Sequence, residues 1–148
     1  MLYYHENKVY ISEELYYTIF RIKNRIIFSP CKELKKRQRY IKTAINWVFP
    51  LKTDTLKSAI VHTNKKWILK MDIKDFYESV PLWAIYEVIK KVSEQVKNVE
   101  INRYLDYTTI DDKLPTGAPT SAHIANACLL PLDRRIMIFC KNFGVDYS

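Results

Sequence analysis

Cysteine, glycine and long apolar runs are all scarce in this chain of 148 residues, and each scarcity excludes a class of protein. The three cysteines form no Cys-x-x-Cys pair and leave an odd count, which argues against a disulfide framework and predicts a reducing, cytoplasmic location. The three histidines lack metal-ligand spacing. The longest apolar run, near residues 124–132, is too short to span a membrane, and no N-terminal stretch has the layout of a signal peptide.

Positive charge, by contrast, is abundant. With 48% apolar and 27% charged residues the composition fits one folded domain with a real core, and the net charge of +8 favours a polyanionic partner. Six basic residues crowd one predicted helix: Lys32, Lys35, Lys36, Arg37, Arg39 and Lys42. From charge alone, a nucleic-acid-binding surface and a merely solvated helix face remain equally open.

A short apolar run ends in a carboxylate at Asp72. The run predicts a buried strand over residues 66–73, bounded before it by Lys65 and Lys66. A carboxylate at the end of such a strand is costly unless it is paired or binds a cation. The residues also allow a plainer interpretation, in which Asp72 or Asp75 caps the helix that begins near Pro81.

A second informative segment runs from Leu114 to Asn126. Gly117, one of only two glycines in the chain, lies between Pro115 and Pro119, which predicts a constrained turn directly before a helix. Thr120 or Ser121 can cap that helix, and free N–H groups at such a terminus suit phosphate oxygens. Taken alone, this segment is an ordinary loop and helix start.

Together the two segments resemble the reverse transcriptases of bacterial retrons and group II introns. Met71-Asp-Ile-Lys-Asp-Phe-Tyr-Glu-Ser-Val80 is similar to the family's first palm motif, and the segment from Leu114 to Asn126 is similar to its second. Upstream, Arg25-Ile-Ile-Phe-Ser-Pro30 and Leu34-Lys-Lys-Arg-Gln-Arg39 resemble the fingers motifs. Thr116 stands where the family has Gln, and Ala122 stands where it has Pro.

The resemblance implies roles for single residues. Asp72 would be catalytic and, with Ile73, would bind magnesium. Tyr77 would be the gate against ribonucleotides, and the expected partner of Arg25 is the triphosphate. The implied nucleotide-binding residues are Arg25, Ile73, Lys74, Asp75, Phe76, Tyr77, Thr116 and Gly117.

The resemblance also implies an architecture and a reaction. We expect an α/β (α+β) fold in which a small antiparallel sheet packs with helices, with fingers over residues 1–66 and an incomplete palm over residues 67–148. The complete enzyme would use Mg²⁺, an RNA template, a DNA primer and deoxynucleoside triphosphates. The family's palm continues into Tyr-Ala-Asp-Asp, which this sequence lacks. Because Asp72 alone cannot organise two metal ions, we expect the chain by itself to be inactive.

Two other functions stay open beside a polymerase fragment. The chain could be a catalytically dead nucleic-acid-binding or regulatory module. It could also be one half of a split polymerase, whose second chain, or a second copy, would join at exposed edges of the palm sheet.

Periodicity and turn residues predict the remaining elements. Strands are expected over residues 16–22 and 25–29, joined by Lys23 and Asn24 in a tight hairpin. Ser29 is expected to cap a helix that starts at Pro30 and ends near Phe49. Further helices are predicted over residues 81–96, 98–107 and 119–142, with a loop or strand pair over residues 108–115.

Overall fold

The N-terminal part of the chain forms a four-stranded antiparallel sheet in the order β1-β2-β3-β4. The computed structural model describes residues 2–50, 59–97 and 99–148. The strands are β1 (Tyr3–His5), β2 (Lys8–Tyr10), β3 (Tyr16–Ile22) and β4 (Arg25–Pro30). The predicted hairpin is confirmed, since β3 pairs with β4 from Tyr17 opposite Pro30 to Ile22 opposite Arg25. The fold is α+β, as predicted.

The first helix, α1, begins later than the sequence suggested. It spans Lys32–Val48, and Cys31 is its N-cap, with the sulfur accepting a hydrogen bond from the Leu34 amide at 3.5 Å. The prediction that Ser29 caps the helix and Pro30 opens it was wrong, because the pairing of β4 with β3 holds the chain extended through Pro30. Proline is compatible with this position because β4 lies at the edge of the four-stranded sheet.

The short helix α2 (Phe76–Ser79) was not predicted. The helices predicted over residues 81–96, 98–107 and 119–142 are confirmed with shifted ends, as α3 (Leu82–Gln95), α4 (Ile101–Thr108) and α5 (Ser121–Asn142). The loop over residues 108–115 contains one isolated bridge, between Ile110 and Lys113. Among the described residues, no helix is both long and apolar enough to cross a membrane.

Among the described residues, two apolar clusters form the core, and α1 contributes to both. One lies beneath the sheet and includes Val9, Tyr17 and Leu34. The other lies between the helices and includes Ile45, Ile85, Ile89 and Ile124. Since α1 is shared, the sheet and the helices are packed as neighbours rather than joined by a bare linker.

The predicted buried strand over residues 66–73 is not formed, and the prediction was wrong. The backbone there is irregular, and Trp67, Leu69 and Met71 are 85%, 80% and 76% exposed. A strand needs a neighbour to satisfy its backbone N–H and C=O groups, and in the described ranges no strand lies beside this segment. Apolar side chains favour burial, but they do not supply the neighbouring strand that this segment would need.

Candidate functional site

Three segments that are far apart in sequence meet at one groove with a volume of about 370 Å³, here called the Asp72 groove. The turn between β3 and β4 forms one wall, the segment before and within α2 forms another, and the loop before α5 contributes Thr116. The lining residues are Asn24, Arg25, Ile26, Asp72, Ile73, Asp75, Phe76, Tyr77, Glu78 and Thr116.

Most of the residues predicted to bind metal or nucleotide line this groove, and none of the predicted nucleic-acid-binding residues of α1 does. Lys74 and Gly117, also predicted to bind nucleotide, are adjacent in sequence to lining residues but do not line it themselves. Asn24, Ile26 and Glu78 were not predicted, although each directly flanks a residue that was. Adjacency to a motif was therefore the signal that could have found them.

The loop that carries Thr116 is held against the edge of β4. The Phe28 amide donates a hydrogen bond to the Thr116 carbonyl oxygen at 2.8 Å. Gly117 has φ of +108°, and a Cβ there would lie 2.8 Å from the Phe28 carbonyl oxygen. The Ser121 hydroxyl donates to the Pro115 carbonyl oxygen at 2.7 Å. This loop therefore needs glycine both for its backbone angle and for its close approach to the strand.

The predicted capping residues of α5 are only partly as expected. Thr120 occupies the N-cap position, but its side chain makes no capping hydrogen bond. Its hydroxyl oxygen is buried and has no hydrogen-bond partner among the described residues. The sequence therefore identified an N-cap residue of the helix, but the expected capping hydrogen bond from its side chain is not formed.

Phe76 and Tyr77 anchor the acidic side of the groove to the helical core. Their ring centroids are 5.7 Å apart, and both side chains pack against the cluster that contains Ile85 and Ile89. Asp75 has φ of +49°, and its carbonyl oxygen accepts a hydrogen bond from the Ser79 hydroxyl at 2.9 Å. This turn joins the exposed segment that bears Asp72 to Phe76 and Tyr77, which pack on the helical core.

The capping alternative for the two aspartates is wrong. The helix after Pro81 has Pro81 itself as its N-cap, with no side-chain capping bond. Asp75 is the N-cap of the short helix α2, also without a side-chain bond. The carboxylates of Asp72 and Asp75 are therefore not used as helix caps, and both line the groove.

A buried polar network supports the sheet behind the groove. Gln38 is fully buried, and its amide nitrogen donates to the Tyr17 hydroxyl at 2.5 Å and to the Tyr107 carbonyl oxygen at 2.7 Å. The Tyr17 hydroxyl donates to the same carbonyl at 2.9 Å. Burial raises the pKa of Tyr17, so its hydroxyl remains protonated as this donation requires. The network ties α1, β3 and α4 together.

The described residues do not complete a site for two metal ions. Asp72, Asp75 and Glu78 line the groove, but no three His, Cys, Asp or Glu side chains in the described ranges are arranged to hold a metal ion. Two-metal sites need several carboxylates around ions about 3.5–4 Å apart. Asp72 fits one such ligand, and the others are not among these residues.

The basic residues of α1 fall into two groups. Lys32, Lys35, Lys36, Arg39 and Lys42 recur at helical spacing and share one face, here called the basic stripe. Arg37 lies apart from this face. Its guanidinium donates to the Tyr107 hydroxyl at 3.0 Å and lies 3.7 Å from the Glu33 carboxylate. Arg37 is therefore engaged within the molecule, whereas the stripe faces outward except for Lys42, which is half-buried.

Known proteins similar to this chain are retron reverse transcriptases. The Retron Mx162 reverse transcriptase of Myxococcus xanthus is 27% identical over 84% of this chain and 31% of its own length. The Retron Se72 reverse transcriptase of Salmonella heidelberg is 26% identical over 85% of the chain and 35% of its own length. For the Retron Ec86 reverse transcriptase of Escherichia coli the values are 25%, 84% and 41%.

No protein-family model matches the chain. The chain spans between about a third and two fifths of the length of the curated relatives it matches. The resemblance inferred from the motifs is confirmed by these similarities, and the chain is retron reverse transcriptase-like over most of its length.

Proposed function

We propose that this chain forms the fingers (residues 1–66) and the first part of the palm (residues 67–148) of an RNA-directed DNA polymerase. In the complete enzyme it would act on an RNA template, a DNA primer and deoxynucleoside triphosphates. The observation that carries this proposal is the Asp72 groove, which Arg25 and Thr116 line together with Asp72 and Tyr77 although they are distant from these two residues in sequence. A groove lined by these motif residues is suited to bind a nucleotide.

Each wall of the groove has a distinct task in this proposal. Arg25 pairs with the triphosphate, because a guanidinium forms strong charge-assisted hydrogen bonds to phosphate oxygens. Tyr77 rests on the helical core and blocks the position of a ribose 2′-hydroxyl by its bulk. The backbone of Thr116, held by β4, forms the opposite side, and the close approach of Gly117 to Phe28 keeps the loop in place. Lys74 lies in the motif that contains Asp72 and Tyr77, and it adds positive charge near the phosphates.

In this proposal, Asp72 and the backbone of Ile73 supply some of the ligands of a magnesium site. Because the described residues provide no full ligand set, the remaining carboxylates must come from a longer protein or from a second chain. We therefore expect no magnesium-dependent primer extension by this chain alone. Incorporation of deoxynucleotides by the chain alone, abolished by Asp72→Ala, would overturn this account of the site.

The gate can be tested in a protein that carries this chain together with the rest of its palm and its thumb. Tyr77→Ala should admit ribonucleotides while preserving the chemistry, since only the bulk of the ring is lost. Tyr77→Phe is the matched control and should keep the discrimination. The ratio of kcat/KM for a deoxynucleotide and its ribonucleotide measures the effect. An unchanged ratio in Tyr77→Ala would remove the assignment.

The triphosphate contact has its own matched pair of arginines. Arg25 lines the groove, whereas Arg21 is exposed on the neighbouring strand and does not line it. Arg25→Ala should mainly raise the nucleotide KM, and Arg21→Ala should leave it unchanged. Equal effects of the two substitutions would show that overall charge, rather than the groove, sets nucleotide affinity.

A second candidate function, a nucleic-acid-binding module without catalysis, is favoured by the basic stripe. We expect weak, sequence-independent binding of RNA or DNA that falls steeply with salt. Reversing Lys35, Lys36 and Arg39 to Glu should weaken binding evenly across sequences. Reversing Lys90, Lys91 and Lys141, which changes the net charge equally, is the control. Anisotropy titrations at low and high salt measure both, and equal losses would mean that the stripe has no special role.

A further inference from the structure

One face of the sheet packs on the core, and the opposite face carries a row of tyrosines. Val9 and Tyr17 are fully buried, so their neighbours in β2 and β3 point to the other side. Tyr3 pairs with Tyr10, and Tyr10 pairs with Tyr16, in adjacent strands. The ring centroids are 6.1 Å and 5.3 Å apart, which makes one continuous row across β1, β2 and β3, here called the tyrosine row.

The tyrosine row is open to solvent at one end and has a cation beside it. Tyr3 is 61% exposed, and the His5 ring stacks on it at 6.2 Å. The Lys8 ammonium lies 4.9 Å from the centre of the Tyr16 ring. A hollow of about 460 Å³ borders the row and is lined by Tyr3, His5, Tyr10, Ile11, Ser12 and Glu13. The tyrosine row therefore offers a ligand an accessible aromatic surface with polar and cationic groups beside it.

The same face of the sheet leads to the Asp72 groove. Beyond Tyr16, strand β3 presents Phe20 and Ile22, which are 43% and 54% exposed, and Ile22 pairs with Arg25 of the groove wall. Six residue steps at about 3.3 Å give roughly 20 Å between Ile22 and Tyr16. A single strand of nucleic acid lying on this face would thus reach from the groove to the tyrosine row.

We propose that the tyrosine row is a stacking platform for the unpaired bases of a single-stranded nucleic acid. Every base has a π-face, so exposed tyrosine rings can bind a strand without reading its sequence. The Lys8 ammonium and the net charge of +8 complement phosphates, with Glu13 as the opposing charge at the rim. Hydroxyl groups and a cation within the row make it a poorer match for an apolar protein partner.

This platform is separate from the basic stripe. The stripe lies on α1, whose Leu34 packs with Tyr17 in the cluster beneath the sheet, so the helix lies on the inner side. The inference goes beyond the proposed polymerase function, since it needs neither the metal site nor catalysis. Its test can therefore succeed or fail independently of any primer-extension result.

The test compares binding of a labelled oligouridylate and of a duplex RNA by the full chain, using fluorescence anisotropy. Tyr3→Leu removes the ring but keeps apolar bulk, and should weaken single-strand binding roughly fivefold or more. Tyr3→Phe keeps the ring and should bind as the parent does. Phe139→Leu is the matched control, because Phe139 is 63% exposed on α5, away from the row. Duplex affinity should not change, since its bases are already stacked.

Three outcomes would overturn the proposal. Unchanged single-strand affinity in Tyr3→Leu would show that no base stacks on the row. Equal losses for single strand and duplex would assign the effect to charge or to the fold. Self-association in sedimentation that disappears with Tyr3→Leu, without a change in RNA binding, would assign the face to a second copy of the chain. Photocrosslinking of a 4-thiouridine oligonucleotide to Tyr3 or Tyr10 is the expected direct result.

Discussion

The N-terminal sheet with α1 and the segment from Trp67 to Asp72 are both rich in apolar side chains, yet only the first forms a buried core. Leu34 of α1 is fully buried, whereas Leu69 is 80% exposed. Each strand of the sheet has a paired neighbour, and the segment near Asp72 has none in the described ranges. The difference shows that burial depends on what lies opposite a residue as well as on its own hydrophobicity.

Helix α5 repeats the same contrast within one element. Ile124 in its first half is fully buried against the helical core, while Phe139 near its end is 63% exposed. The helix persists through both halves because its backbone hydrogen bonds are internal, which a strand cannot achieve. The carboxylate proposed for catalysis lies on an exposed, irregular segment, whereas the proposed gate packs against the helical core.

The largest expected effect comes from a substitution that should remove activity without changing stability. In a protein that carries this chain with the rest of its palm, Asp72→Asn should reduce primer extension by more than about 100-fold, the upper range for outer partners of a metal site. Stability should change by less than about 0.5 kcal/mol, because the segment is exposed. Asp112→Asn, an exposed carboxylate outside the groove, is the control. Retained activity would contradict the assignment of Asp72.

A pair of leucines measures the packing difference directly. Leu34→Ala should lower the free energy of unfolding by about 2–5 kcal/mol, because a buried side chain leaves a cavity. Leu69→Ala should change it by less than about 0.5 kcal/mol, since the side chain is exposed. Urea denaturation of the chain measures both. Similar losses would show that the segment before Asp72 is packed in solution, against a second copy for example.

The two glycines provide a smaller but equally matched test. Gly117→Ala should cost about 1–3 kcal/mol and displace the loop, since φ is +108° and the new Cβ would press on the Phe28 carbonyl. Gly144→Ala should cost about 1–2 kcal/mol from its left-handed backbone alone, because no atom lies within 4 Å of the added Cβ. Hydrogen exchange of the Phe28 amide, which bonds to Thr116, should accelerate only in Gly117→Ala.

The smallest expected effect concerns the joint between α1 and α5. His123 Nδ1 lies 2.7 Å from Asn46 Oδ1, and partial burial, helped by the charge of Lys42, lowers the pKa of His123. The folded state thus favours the neutral ring, so its contribution is present above the ordinary pKa of 6.5 and is lost as the pH falls through the lowered value. Urea midpoints on either side of pH 6.5 should differ less in His123→Gln than in the parent. His5→Gln, at an exposed position, should leave the difference intact.

Much of the order of elements, and most of the residues that line the groove, were predictable from the sequence, whereas β1, β2 and α2 were not predicted. Strand-like runs on either side of the Lys23-Asn24 turn marked β3 and β4, helical spacing marked α1, α3 and α5, and the family motifs named most residues that line the groove. These features were accessible because each depends on neighbours along the chain, where local geometry and turn chemistry act. The roles of the groove residues stay predictions until the substitutions above are made.

Tertiary structure alone decided which apolar residues are buried and which polar groups meet. The run before Asp72 has the composition of a strand, but forming a strand requires a pairing partner that composition cannot supply. Pro30 remained in β4 because Tyr17 lies opposite it, and Gly117 is required because Phe28 approaches it, neither of which can be read from adjacent residues. Long-range contacts set these outcomes, since they depend on the three-dimensional position of segments that are far apart in sequence.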